Sequence, residues 1–181
     1  MGLFSSLKRK TNSDPSDGLA ALIIQVSVHE CEQLASLWKR TYDDRIQVEL
    51  FAEYATLLIN IADQFAFARF GDPARAALMK KVHLIVREAF SRQRSIGATS
   101  EEAATYFDRL FVVRSGENAG CSIIMGGDTS VALHAAQHFV AHFNPDLRDE
   151  TFSSTLFETG KLLLKSIAAI VTTPPFKAIG P

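Results

Sequence analysis

Apolar residues recur through most of the chain at the three-to-four-residue spacing of an amphipathic α-helix, and polar, Gly- and Pro-rich breaks separate the runs. The first break is the start itself. MGLFSSLKRKTNSDPSDG has a short apolar and basic head followed by a Ser, Asn, Asp, Pro and Gly cluster that can bury little surface, so residues 1–17 read as a flexible tail. Asp17 is placed to cap a helix from about Gly18 to Arg40, and Thr41 to Asp44 reads as a turn. From about Asp43 to Phe70 the chain has no Gly or Pro. Gly71 then stops this second helix, and Asp72 with Pro73 offers a new N-cap and first helical position.

The third helix is expected to reach about Arg94. After the loop Ser95 to Thr99, the spacing of Thr99 and Glu102 is that of a capping box opening a fourth helix. That helix should end near Arg114, before the loop-like SGENAG of Ser115 to Gly120. The second choice for residues 110–126 is a β-hairpin made from FVVR and CSIIM. Asp128 or Thr129 opens a fifth helix that Asn144 and Pro145 close, and Asp149 caps a last helix to about Thr172. Residues 173–181 form a Pro-rich tail. The expectation is an all-α, single-domain bundle of about six helices over residues 18–172, with the long second helix at its centre.

That helix is apolar on most sides through Phe51, Tyr54, Leu57, Leu58, Ile61, Phe65, Phe67 and Phe70. One polar stripe remains, because Arg45, Glu49, Glu53, Thr56, Asn60 and Asp63 fall three or four residues apart. The favoured reading is the exposed edge of a core helix. The sharper one is a polar seam inside the bundle, with Glu49, Glu53 and Asp63 holding a metal or charged ligand. In the last helix Gly160 lies in the row Phe152, Leu156, Leu163 and Ile167, where its missing side chain is expected to serve close helix packing.

Composition narrows function mainly by exclusion. The 181 residues suit one core. Nineteen Lys and Arg against 20 Asp and Glu leave a net charge of -1 and no global reason to expect nucleic acid. No apolar run approaches the ~20 residues of a membrane span. Cys31 and Cys121 lack the paired spacing of a zinc or redox motif, and read as free thiols of a cytoplasmic protein.

The candidate chemistry is scattered. His134, His138 and His142 recur every four residues, a spacing that can aim neighbouring imidazoles at one zinc or nickel ion. At about 100 degrees per residue they lie opposite the apolar set Ala132, Leu133, Ala136, Phe139, Val140 and Phe143, so a solvated face is the favoured reading and a metal would need ligands from elsewhere. The paired Glu-x-x-His motifs of a di-iron bundle are absent, and HECEQ at His29 to Gln33 is not the HExxH of zinc proteases. Glu30 interrupts the apolar row Leu19, Ile23, Val26, Leu34 and Leu37. A buried carboxylate there would need a cation or donors, and a helix bend near Ser27 to His29 that frees it to solvent is the favoured alternative. Thirteen Phe, among them Phe65, Phe67, Phe70, Phe90, Phe107, Phe111, Phe139 and Phe143, are more readily core than the lining of a lipid or haem cavity, for which His83 is the candidate axial ligand. GGDTS at Gly126 to Ser130 reads as flexible entry to a helix, with an anion at that helix start as the weaker option.

The head MGLFSSLKRK fits the Met-Gly-x-x-x-Ser acylation pattern. Even without an acyl chain, Leu3, Phe4 and Leu7 beside Lys8, Arg9 and Lys10 could touch the inner membrane surface. An unstructured start is the favoured reading. No nucleophile, base and oxyanion set can be assembled, which inclines the assignment away from an enzyme. The leading expectation is a non-catalytic interaction or regulatory protein with a protein partner or homo-oligomeric state. Ile24, Val28 and Trp38, outside the first helix's main apolar face, imply that this helix is covered on two sides, by its own chain or by a partner's. A metal- or apolar-ligand-binding bundle is second, and an enzyme using scattered residues such as Glu30 and His83 third. The sequence names no cofactor.

Overall fold

The computed structural model describes residues 14–93, 96, 99–118, 130–147, 149–173 and 176. Among them are six helices and no strand: α1 (Pro15–Leu37), α2 (Asp44–Phe70), α3 (Asp72–Ser91), α4 (Ser100–Asn118), α5 (Ser130–Phe143) and α6 (Asp149–Val171). This is the all-α bundle that the hydrophobic pattern predicts.

α2 is its hub and packs against every other helix. Each residue from Leu50 to Ala62 is buried, whichever way its side chain points. A helix that is apolar nearly all round is stable only when enclosed, and its neighbours enclose it with aromatic rings. Phe51 stacks on Phe90 of α3 at 6.3 Å between centroids, and Tyr54 stacks on Phe139 of α5 at 5.6 Å. The Tyr54 hydroxyl also meets Ser166 Oγ of α6 at 2.8 Å. α5 and α6 pack closely on one another, and α6 lies against α1 as well. There Trp38 donates its indole N–H to Thr159 Oγ1 at 3.2 Å, which satisfies a donor that burial would otherwise strand.

The helix ends follow capping chemistry, with corrections to the sequence reading. α1 is capped by Asp14 rather than Asp17, so it starts at Pro15 rather than Gly18; Pro suits that first position because it has no N–H to leave unpaired. Asp14 accepts from the Ser16 hydroxyl at 2.6 Å, from Ser16 N at 2.9 Å and from Lys81 at 3.0 Å, and these bonds, the hydroxyl's first, hold its carboxyl at about 2. Gly71, at φ 71°, is both the C-cap of α2 and the N-cap of α3, so Asp72 falls inside the helix instead of capping it. A left-handed backbone there reverses the chain within one residue. The capping box is as expected: Thr99 N donates to Glu102 at 3.0 Å and Glu102 N to Thr99 Oγ1 at 3.1 Å. α3 stops at Ser91, short of Arg94, whereas α4 runs past Arg114 to Asn118. FVVR is therefore helical, which removes one arm of the hairpin alternative. CSIIM, GGDTS up to Thr129, Cys121 and the head residues Leu3, Phe4, Leu7, Lys8, Arg9 and Lys10 lie outside the described residues.

Gly160 also differs from expectation. A Cβ at Gly160 would meet no atom of another element within 4 Å among the described residues, so the missing side chain makes no room for another described helix. Among the described residues no helix is long and apolar enough to cross a membrane.

Candidate functional site

The middle of the polar stripe of α2 is not an exposed edge, although Arg45 at its start is exposed. Glu53 is 5% exposed, and Thr56 and Asn60 are buried with it. The favoured sequence reading fails because α4 lies along the stripe and supplies partners. Arg114 grips Glu53 as a fork, Nε to Oε2 at 2.7 Å and Nη2 to Oε1 at 2.7 Å. Ser115 donates to Asn60 Oδ1 at 2.7 Å, and Thr56 donates to the Glu53 carbonyl at 2.9 Å. A seam does run inside the bundle, and the protein's own guanidinium occupies it. Bidentate, charge-assisted bonds of this kind are the strong class and fix orientation as well as charge.

Arg114 uses Nη1 on Glu117, one turn further along α4. His138 of α5 brings Nε2 to 3.6 Å from Glu53 Oε1, an ion-pair distance but too long for a hydrogen bond, and that nitrogen is buried without a hydrogen-bond partner among the described residues. Burial pushes the Glu53 carboxyl up, but the Arg114 fork, with the His138 ring behind it, outweighs burial and holds the group below the ordinary carboxylate value. Glu53's hydrogen bonds in turn keep Arg114 charged despite its burial. Glu53, Arg114, Glu117, His134 and His138 line a shallow cleft with Leu57, Ala135 and Phe139.

The other candidate residues are dispersed. Glu49 pairs with Arg45 at 3.0 Å, and Asp63 faces Arg75 at 3.5 Å. Burial first, then the charge of Asp72, raises the Asp63 carboxyl against the pull of Arg75. His134 and His142 are exposed, as the helical-wheel argument requires, and His138 is half-buried. The His138 and His142 rings lie parallel at 5.7 Å, stacked rather than converging on one ion. Among the described residues no group of three or more His, Cys, Asp or Glu could hold a metal ion.

Glu30 is buried, 3% exposed, on an α1 that runs without a break. The favoured reading, in which a bend near Ser27 to His29 frees Glu30 to solvent, is thus corrected: Glu30 is enclosed together with Ile23, Ser27 and Leu34 of the same helix. Its Oε2 and the nearby Ser27 Oγ are buried with no hydrogen-bond partner. Burial, with the Glu30 and Glu32 charges added, pushes the thiol of Cys31 far up, which makes it a poor nucleophile. His83 sits elsewhere, between α3 and α4. Its Nε2 is 3.0 Å from Asp108, which also accepts from Arg87 at 2.8 Å, and its ring lies 4.5 Å from Phe111. Phe107 and Phe111 fill the space that an axial-ligand role would leave for a haem. Phe90, Phe107, Phe139 and Phe143 are core, Phe65 and Phe70 pack on Phe176, and Phe67 is exposed beside Arg75.

The sequence reading missed Arg114 and Glu117. Their three-residue spacing is a helical pair, but ending the helix at Arg114 hid it.

No family model, curated protein or solved structure matches this chain. The fold and site define an all-α bundle in which a buried ion pair clasps the central helix to α4.

Proposed function

We propose that this chain is a non-catalytic interaction or regulatory module that meets a protein partner through the outer face of α6. The observation that carries this reading is the alignment of Phe157, 66% exposed, with Leu164, 40% exposed. Single exposed apolar residues are ordinary. These two are seven positions apart, which places them about 20 degrees from each other around the helix and about 10.5 Å apart along it. That is the spacing of anchor residues when an amphipathic helix docks in a groove or on another helix. Lys161 lies between them, its ammonium 5.5 Å from the Phe157 ring and 2.9 Å from Glu158. The strongest polar cluster, at Glu53 and Arg114, points inward and is internally neutralised.

A photoreactive amino acid at position 157, compared with one at the exposed Thr105 of α4, tests the reading. Protein adducts in cells at position 157 that disappear when Leu164→Glu is added support it. Equal labelling at both positions, or none at 157, contradicts it.

A second reading, a metal- or ligand-binding bundle, is favoured by one observation: the unpartnered Nε2 of His138 beside Glu53 in a cleft that His134 also lines. Zinc or nickel that raises Tm in wild type but not in His138→Ala supports this reading, and no shift in either counts against it.

A further inference from the structure

We infer that the partner on α6 is a second copy of this chain, with two α6 helices packed antiparallel about a two-fold axis that passes between Gly160 and Lys161. The inference rests on the reading of α6 as an interaction face and names its occupant.

Spacing is the first argument. A two-fold interface must be self-complementary, so whatever a residue touches must also be touched by its symmetry mate. An axis between Gly160 and Lys161 sets Phe157 opposite the second copy's Leu164, and Leu164 opposite the second copy's Phe157. Each large exposed side chain meets the other, and neither is left over.

Gly160 is the second. A helical glycine costs about 1 kcal/mol relative to Ala, and here nothing among the described residues uses the space it leaves, since a Cβ would meet none of their atoms outside its own stretch of helix within 4 Å. It lies at the midpoint of the pair, on one flank of the stripe, where two helix backbones would come closest. A small residue at that point lets them approach, and a side chain would hold them apart.

Charge is the third. Glu158, Lys161 and Lys165 share the flank opposite Gly160. In an antiparallel pair, like flanks face each other with their heights reversed, which brings Glu158 level with a gap between the second copy's Lys161 and Lys165. Within the chain Glu158 pairs with Lys161 at 2.9 Å, while Lys165 is exposed and has no ion pair among the described residues. The antiparallel arrangement gives Lys165 a carboxylate; a parallel two-fold pair would set this flank against the Leu156, Gly160 and Ile167 side of the second copy, which has none.

One helix pair is a small interface, in the class of about 1,000 Å² or less, so the dimer is weak and depends on concentration. Sedimentation equilibrium of the full chain up to about 500 µM, roughly the weak end of specific association, is the test. Wild type is expected to associate. Phe157→Glu and Gly160→Leu are each expected to weaken association at least about 30-fold while the helical circular dichroism is unchanged, because both positions face open space. Lys165→Glu should also weaken it, and Glu158→Lys with Lys165→Glu should recover part of the loss. A wild type that stays monomeric throughout, or one whose association survives both Phe157→Glu and Gly160→Leu, overturns the inference. A monomer that still gives adducts with another protein at position 157 sinks the self-pairing but leaves the interaction face standing. No adducts at all would sink both.

Discussion

Arg114 of α4 closes on Glu53 of α2 through two parallel hydrogen bonds of 2.7 Å, with the carboxylate 6% and the guanidinium 18% exposed. Taking two charges out of water is costly, and attraction between them compensates only when geometry and further bonds are good, as they are here. Removing one partner strands the other. Arg114→Met is therefore expected to lower unfolding stability by about 3 to 5 kcal/mol, whereas Glu53→Leu with Arg114→Met should recover most of that loss. Urea denaturation of the single and double variants measures both.

The same pair makes stability depend on acid. Glu53 is held below its ordinary value of 4.5 in the folded chain, so the unfolded chain takes up a proton first as pH falls. Its stabilisation is complete above pH 4.5 and is lost as pH drops through the lower, folded value. Glu53→Gln has no such group. The stability gap between wild type and Glu53→Gln should narrow steadily from about pH 5 downward in pH-stepped urea titrations. A gap that stays constant to pH 3 on that scale would show that Glu53 carries no charge-dependent stability.

Glu30 presents the opposite case, a buried carboxylate with an oxygen that no donor among the described residues reaches. An apolar residue of similar volume gives up nothing at that oxygen and gains packing. Glu30→Met should raise stability by about 1 to 3 kcal/mol, read as an increase in Tm. A marked decrease would mean that the carboxylate is bonded to a group that holds it in place.

Gly71, between α2 and α3, and Gly160, inside α6, should respond differently to Ala. At Gly71, φ of 71° demands a left-handed backbone, so Gly71→Ala should cost about 1 to 2 kcal/mol. At Gly160 the space is open and the backbone helical, so Gly160→Ala should stabilise the fold by up to about 1 kcal/mol. Thermal unfolding at low protein concentration, where association does not contribute, compares them.

Six helices in their order were legible because long stretches with few Gly or Pro are separated by breaks that use Gly, Pro and capping residues. Helix ends were less so. Asp14 and Asp17 both satisfy cap chemistry, and the fold selects Asp14 through its bonds to Ser16 and to Lys81 of α3. The site was partly legible. The stripe on α2 and the break at Glu30 were visible as departures from pattern, but whether a polar residue is exposed depends on what lies over it. Glu53 is covered by Arg114, 61 residues away, and no local period reports such a pairing. The histidine face was legible from angles alone, apart from His138, which Glu53 approaches across the seam.

The arrangement proposed for α6 has one feature that no other docking shares: only residues beside the two-fold axis meet their own copies. Lys161→Cys, in a chain also carrying Cys121→Ser, places a thiol within about 2 Å of its symmetry mate's height, whereas Ser153→Cys sits about 22 Å from its own along the axis. Mild oxidation at a concentration where the chain associates is the direct measurement. The account predicts a disulfide-linked dimer from the cysteine at position 161 and none from the cysteine at 153; no dimer at 161, or equal yields at both, would contradict it.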